Sequence, residues 1–284
     1  MIANKDGGVP LGTAALPTAS FRESTPVGGH EVALDRTRGW LRDRQQADGH
    51  WIGELEGDTI LESETILLMA FFGRENEEVC KRLARYLLKH QLPEGGWPNY
   101  PGGPAEISTS VKGYFALKLT GTPIDHPAMV KAREAVLAMG GAAACNSFTR
   151  FYLALLGQLS YDECPTVPPE LALIPRRWNF SLYAMSSWTR TIVVPLSIVS
   201  HFKPVRKLAP ERGIDELFIK GVKKWARPRY PLFSWGRFFL AVDRGLKWAD
   251  RLLPAVVRRR GVQAAHRWMV DHFEDSDGLG AIYP

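Results

Sequence analysis

The sequence predicts an all-α protein. Apolar residues recur at intervals of three and four along successive segments, Gly or Pro clusters fill the gaps, and strand-like alternation is scarce. The 284 residues, 45% hydrophobic and 23% charged, suffice for a large buried core. The predicted helices span residues 32–46, 58–72, 77–91, 107–119, 127–139, 147–159, 182–202 and 264–273.

The chain begins with a segment of different composition. Residues 1–30 are rich in Gly, Pro, Ser, Thr and Ala and lack periodicity, so we predict a flexible leader followed by one folded domain over 31–284. No apolar run approaches the roughly 18 residues of a spanning helix, and the first residues lack the order of a secretory signal. Within 182–202, Pro195 should kink or break the helix.

The three cysteines point to a reducing compartment. Cys80, Cys145 and Cys164 are far apart and lack any CxxC spacing or nearby His ligand. We interpret them as small buried apolar residues rather than as metal ligands or redox centres.

Two segments of the chain repeat one pattern. Trp40-Leu41 is followed by Gln45 and Trp51, and Tyr86-Leu87 is followed by Gln91 and Trp97, 46 residues later. The spacing from Gln to Trp is the same in both, across a turn that contains Gly. We expect the Gln amide to bind open backbone groups at the helix ends and the Trp ring to cover the turn. A third, decayed copy begins at Trp268-Met269 and continues through Phe273, Gly278 and Gly280.

The positive charge lies in one region. Residues 203–267 hold 17 Lys/Arg against 5 Asp/Glu, which leaves the rest of the chain net negative. Within this region, the segment 225–251, which we predict to be helical, interleaves basic residues with aromatic ones, among them Trp235, Phe238 and Phe239. This pattern is typical of an interfacial helix on an anionic membrane. A solvated helix is the alternative, while nucleic-acid binding would need a recognition fold that the sequence lacks.

Several blocks resemble one enzyme family. The two Gln–Trp segments resemble the QW repeat of the squalene-hopene and oxidosqualene cyclases. Residues 100–104 (YPGGP), 148–150 (FTR), 167–170 (VPPE), 187–190 (SWTR) and 277–284 (DGLGAIYP) resemble, in order, blocks of the bacterial squalene-hopene cyclases.

The resemblance implies a fold and an activity. The fold would be an α/α-barrel (toroid) of helical hairpins carrying QW repeats. The complete protein would cyclise squalene to hopene and hopanol by protonation and a cation cascade, with no cofactor and no metal. It would be monotopic, peripheral on the cytoplasmic face of an anionic membrane, with contact at about residues 222–262; a homodimer is compatible with this.

The family's acid is missing from this chain. An Asp-x-Asp-Asp motif starts cyclisation in the family and lies in the C-terminal half, whereas the nearest string here, residues 275–278 (DSDG), lacks the final Asp. We therefore predict no catalytic residue in this chain. We expect it to be the N-terminal portion of a cyclase, inactive alone, with the C-terminal half of the cyclase as a partner.

The resemblance places two residues in the substrate cavity. Trp188, in the SWTR block, matches a family Trp that lines the substrate channel; a packed core Trp is the alternative. Ile282 matches a loop that shapes the cavity near ring formation. Aromatic faces suit this chemistry because they stabilise cations without offering a nucleophilic lone pair.

Glu64 is a candidate that the helical pattern itself indicates. Leu61, Glu64, Leu67 and Leu68 are predicted to share one side of their helix, so the carboxylate should point toward the apolar face. A carboxylate there must be paired or functional. The resemblance makes it a cavity-side residue near the far end of the substrate, and the alternative is an ion pair to Arg150.

The residue type at Lys112 differs from that in some relatives, and several common catalytic motifs are absent from the sequence. Some relatives carry an acidic residue where this chain has Lys112, which we interpret as a solvated lysine on a helix face. The sequence contains no Asp-Asp-x-x-Asp, HExxH, GxGxxG or Walker loop, which leaves metal and nucleotide chemistry without support. A non-catalytic lipid-binding module and a class II diterpene cyclase remain as alternatives.

Overall fold

The computed structural model describes residues 29–51, 58–179, 181–226 and 230–274. Most of the predicted leader, 1–28, lies outside these residues, as do Ile282 and the DSDG string. The chain divides into two units, Met1–Glu56 and Gly57–Pro284. The first contains helix α1 (Gly29–Asp43). The second contains α2 (Thr59–Phe71), α3 (Glu78–Lys89), α4 (Ile107–Leu119), α5 (Pro127–Ala138), α6 (Ser147–Leu155), α7 (Ser187–Phe202), α8 (Trp235–Leu252) and α9 (Ala255–Glu274).

The all-α prediction is confirmed. The described residues contain no strand beyond one isolated bridge between Pro98 and Ala105. Short polar side chains begin several helices: the Asp58 carboxylate accepts the Ile60 N–H at the start of α2, and the Asn146 side chain accepts the Thr149 N–H at the start of α6. Among the described residues, no helix combines the length and apolar character needed to span a bilayer.

Some predicted helix limits need correction. The predicted helix 147–159 ends at Leu155 in the structure, before Gly157 with its φ of +71°. The helix predicted from residue 182 begins at Ser187, where Ser186 caps it. Of the expected kink or break at Pro195, the break is wrong: α7 continues past the proline to Phe202. Val194 and Ser197 beside the proline are buried.

Helix α4 lies at the centre of the larger hydrophobic core. Eleven of its thirteen residues are buried, and α2, α3 and α5 pack around it. Consecutive helices therefore pack against each other, the arrangement from which an α/α-barrel is built. The largest fully buried side chains here include Ile66, Leu67, Leu87, Trp97, Tyr114 and Phe115.

A second cluster joins α7, α9 and a short 3-10 helix, Pro169–Leu173. Gly261 allows α9 to approach this 3-10 helix closely, since a Cβ at Gly261 would lie only 2.9 Å from the backbone nitrogen of Glu170. Buried Trp268, the start of the decayed repeat copy, belongs to this cluster, and the glycines of that copy lie outside the described residues.

Residues 204–226 pack back onto the larger core. Ile214 and Leu217 are fully buried there. The buried Glu75 carboxylate binds Arg206 at 3.1 Å and Arg212 at 2.6 Å, which fixes this segment to the turn between α2 and α3. Burial alone would raise the pKa of Glu75, but a backbone hydrogen bond and the two guanidinium groups together hold it below its ordinary value.

The two Gln–Trp segments make the same hydrogen bonds. In the first unit, the Trp51 indole donates to the Leu41 carbonyl at 2.7 Å and the Gln45 amide donates to the Gly49 carbonyl at 2.7 Å. The indole thus donates a hydrogen bond to a carbonyl near the end of the helix, while the Gln side chain bonds to a carbonyl across the turn. Gly49 adopts a φ of +94°, a conformation that favours glycine.

The second segment adds a contact to another helix. The Trp97 indole donates to the Leu87 carbonyl at 2.8 Å, and the Gln91 amide donates to Gly95 at 2.7 Å and to Ala128 of α5 at 2.8 Å. Trp97 is completely buried, whereas Trp51 is 50% exposed. The same hydrogen bonds therefore operate in two different packing environments.

Candidate functional site

Helices α2, α4 and α6 bring three polar side chains together in the core. The Lys112 Nζ lies 2.5 Å from Oε1 of Glu64, and the Tyr152 hydroxyl donates to Oε2 of Glu64 at 3.0 Å. The Lys112 and Glu64 side chains are 2% and 7% exposed. Both carboxylate oxygens thus accept a hydrogen bond in a site shielded from water, so the cluster can hold a charged carboxylate in one fixed orientation.

This geometry corrects two interpretations from the sequence. The prediction that Lys112 is a solvated lysine on a helix face is wrong, because Lys112 is buried and neutralises Glu64. Glu64 does form a buried ion pair, but with Lys112 and not with Arg150. The Arg150 guanidinium stacks on Trp225 at 4.0 Å and donates to the Glu163 carbonyl at 2.5 Å. The residues one turn before Lys112 are Ser108 and Thr109, so the sequence around it does not indicate its burial.

The predicted face of α2 is only partly right. Glu64 and Leu67 are buried as expected, but Leu61 and Leu68 are exposed. The buried side of α2 instead includes Ile60, Ser63, Ile66 and Ala70. The face is rotated because α3 and α4 both pack against this helix and define which side is covered.

Trp188 lies in the first turn of α7. Its side chain is 46% exposed, with Tyr183 nearby in sequence and also exposed. Arg190 and Arg176 lie over the Tyr183 ring at 5.7 and 5.0 Å. Trp188 is therefore not packed in the interior of the described residues, and it presents an accessible aromatic face.

Helix α8 presents an exposed aromatic cluster, which we define as Trp235, Phe238 and Phe239. Their rings contact one another, with centroids 5.5 to 6.1 Å apart, and all three are more than half exposed. Phe233, just before the helix, is fully exposed. An exposed apolar group of this kind is a candidate contact surface.

The cysteines are buried, as predicted. Burial raises the pKa of the Cys145 and Cys164 thiols to about 12, and it also raises the pKa of Cys80. The thiol form therefore dominates near neutral pH, and none of the three is a reactive thiolate.

Comparison with known proteins identifies the family. A family model described as the squalene-hopene cyclase N-terminal domain matches residues 34–284. The chain belongs to the squalene-hopene cyclase family. Among its cyclase relatives, a probable squalene-hopene cyclase of Sinorhizobium fredii is 41% identical over 84% of this chain, and the squalene-hopene cyclase of Zymomonas mobilis is 35% identical over 94%.

A further relative is named for a different activity. A dammaradiene synthase of Dryopteris crassirhizoma is 33% identical over 89% of this chain. The chain spans only 38%, 41% and 37% of the lengths of these three cyclase relatives. The resemblance predicted from the sequence is confirmed, and it concerns the N-terminal portion of the cyclases.

Proposed function

We propose that this chain is the N-terminal portion of a squalene-hopene cyclase and supplies one wall of its substrate cavity and its membrane contact. The observation that carries the proposal is the family match over 34–284 together with relatives named squalene-hopene cyclase. The complete protein would cyclise squalene to hopene and hopanol, with the proton supplied by an Asp-x-Asp-Asp motif outside this chain.

The residues of this chain would serve the reaction by shaping and charging the cavity. A migrating carbocation needs a dry site with aromatic faces, and the accessible ring of Trp188 suits such a wall. Ile282 would lie along the same cavity by resemblance. The carboxylate of Glu64, held by Lys112 and Tyr152, would lie near the far end of the substrate, where it would order water and assist the final deprotonation.

The four residues of the Gln–Trp segments would serve as structural staples. Gln45 and Trp51 in one segment, and Gln91 and Trp97 in the other, tie a helix end to the turn that follows it. Such bonds satisfy carbonyls that a helix leaves open. They would keep the barrel wall rigid while the cation moves.

A second function is favoured by one observation, the exposed aromatic cluster on α8. A non-catalytic barrel that binds a polyprenoid or other lipid would use the same surface. It differs from a cyclase portion in that it would need no C-terminal half. A class II diterpene cyclase fits less well. Its substrate carries a diphosphate, which needs basic residues in the substrate cavity, whereas the basic residues of this chain cluster with the aromatic residues of the segment 225–251.

We expect the 284-residue chain alone to leave squalene unconverted, because it lacks the family's acid motif. Purified protein would be incubated with squalene in detergent and the products analysed by gas chromatography. Hopene at a level above that of heat-denatured protein would overturn this assignment of roles.

Helix α8 is proposed to place the protein on the cytoplasmic face of a membrane. Replacing Trp235, Phe238 and Phe239 by Ser should release the protein from anionic liposomes in a flotation assay, because the inserted apolar surface is lost. Replacing the exposed Phe72 and Tyr100 by Ser serves as the control and should leave flotation unchanged. Equal flotation of the α8 variant and the parent would assign α8 to the ordinary surface.

A further inference from the structure

Three cavities meet around residues 157–169. Their volumes are about 360, 440 and 820 Å³, and Asp162 lines all three. Lys247 lines both the 360 Å³ and the 440 Å³ cavity, and Lys203 lines both the 440 Å³ and the 820 Å³ cavity. We call these three adjoining cavities together the basic groove.

The basic groove carries an excess of positive charge. Its lining residues include four carboxylates, Asp162, Glu163, Asp243 and Asp250, and six cations, Arg150, Lys203, Lys207, Lys223, Arg244 and Lys247. Most of the carboxylates are engaged: Asp243 pairs with Lys247 at 3.0 Å, Asp250 pairs with Arg258 at 2.7 Å, and Glu163 accepts the Trp225 N–H at 3.1 Å.

Three cations of the basic groove remain available. Within the part of the chain that the structure describes, Lys203, Lys207 and Arg244 form no ion pair. All three lie at exposed positions. Two lining carboxylates, Asp162 and Glu163, likewise form no ion pair among the described residues.

Arg150 gives the basic groove a buried cation. It is 4% exposed and lines the 360 Å³ cavity. Its guanidinium donates to the Asn146 carbonyl at 3.4 Å, the Ser147 hydroxyl at 3.3 Å and the Glu163 carbonyl at 2.5 Å. The guanidinium also stacks on Trp225 at 4.0 Å, and the Glu163 and Asp243 carboxylates line the same cavity. None of the three hydrogen-bond acceptors is a carboxylate, so a bound anion would give this buried cation a direct ion-pair partner.

The basic groove opens beside the aromatic cluster of α8. Phe239, a member of that cluster, lines the same 360 Å³ cavity as Arg150 and Arg244. Tyr230 packs against Gly236 in the wall of this cavity, where a Cβ would lie only 2.4 Å from the ring. A ligand here would therefore meet cations on one side and exposed aromatic rings on the other.

We propose that the basic groove binds the phosphate-bearing headgroup of an anionic phospholipid. Arg150 and Arg244 would hold the phosphate, Lys203 and Lys207 would attract the anionic surface, and the acyl chains would lie along the aromatic cluster. A lipid combines the anion and the apolar tail that these two adjacent surfaces require. The proposal rests on the membrane contact proposed for α8 and adds selectivity for the headgroup.

The test measures binding of the full chain to phosphatidylcholine vesicles with and without phosphatidylglycerol. The groove variant is Lys203→Asn/Lys207→Ala/Arg244→Ala, with Asn at 203 because that residue has a φ of +48°. At about 1 kcal/mol per basic residue, binding to phosphatidylglycerol vesicles should fall about fivefold per substitution and about a hundredfold in total. Asp162→Asn should act in the opposite direction and strengthen binding.

A control variant removes the same charge elsewhere. Arg82→Ala/Lys89→Ala/Arg177→Ala changes three exposed cations outside the basic groove. It should retain most of the preference for phosphatidylglycerol. Equal losses in the two variants, or no loss in the groove variant, would overturn the proposal.

Two further measurements are needed. The first distinguishes a lipid headgroup from free phosphate, and the second distinguishes failure of the headgroup site from failure of the α8 contact. Inorganic phosphate should compete poorly at equal ionic strength; release of the protein by phosphate, but not by chloride, would assign the site to a free anion and overturn the lipid headgroup. If the Ser variant of the aromatic cluster floats like the parent while the groove variant loses its preference, the α8 contact fails and the headgroup site stands. The reverse result would keep the contact and reject the headgroup site.

Discussion

Replacing Lys112 by Met is expected to destabilise the fold by about 3 to 5 kcal/mol, because the Glu64 carboxylate would stay buried without its cation. Lys112 and Glu64 lie on different helices, α4 and α2, so the loss acts at the centre of the larger core. Urea unfolding of the parent and the variant measures this loss. The midpoint urea concentration should fall, while the dependence of the unfolding free energy on urea concentration should stay unchanged.

Two further variants make this result specific to the buried pair. Adding Glu64→Gln to Lys112→Met should recover much of the lost stability, since no charge then remains buried. Arg85→Met breaks an ion pair with Glu78 in which both side chains are more than 60% exposed, and it should cost less than about 1 kcal/mol. A Lys112→Met loss no larger than that of Arg85→Met would contradict the burial of the pair.

Replacing Trp97 by Ala is expected to cost about 3 to 5 kcal/mol, because it opens a cavity in the core and removes the buried hydrogen bond from the indole to the Leu87 carbonyl. The chain provides its own control in Trp51, which makes the same hydrogen bond to Leu41. Trp51→Ala should cost no more than about 1.5 kcal/mol, since half of that side chain is exposed.

Comparison of the two Trp variants separates packing from hydrogen bonding. Differential scanning calorimetry of both proteins, alongside Trp97→Phe, measures how much the ring contributes without its N–H. The ranking expected is Trp97→Ala as the most destabilised, then Trp97→Phe, then Trp51→Ala. Similar losses for Trp97→Ala and Trp51→Ala would contradict the difference in burial.

The sequence was sufficient to predict the all-α class and the repeated segments, because both depend on local patterns. The 46-residue offset between Gln45–Trp51 and Gln91–Trp97 is visible as a spacing, and the shared turn geometry follows from Gly49 and Gly95 at equivalent positions. The contact of Gln91 with Ala128 was not predictable, since it depends on where α5 packs.

The candidate site was less predictable because its contacts are long-range. Glu64 was found from its place on an apolar helix, but its partner Lys112 lies 48 residues away and its second partner Tyr152 lies 88 residues away. Spacing within one helix carries no information about such pairs. For the same reason, Pro195 predicted a break that packing of α7 against α9 overcomes.

Reconstitution with the remaining half of the cyclase tests the proposed role of this chain most directly. The chain would be mixed with a C-terminal half that carries Asp-x-Asp-Asp, and the squalene products would be identified by gas chromatography. We predict hopene from the parent mixture and early-terminated, partially cyclised products from Trp188→Leu, which removes a cation-stabilising face worth about 1 to 2 kcal/mol. No hopene from a folded parent complex, or an unchanged product profile and rate with Trp188→Leu, would contradict the account.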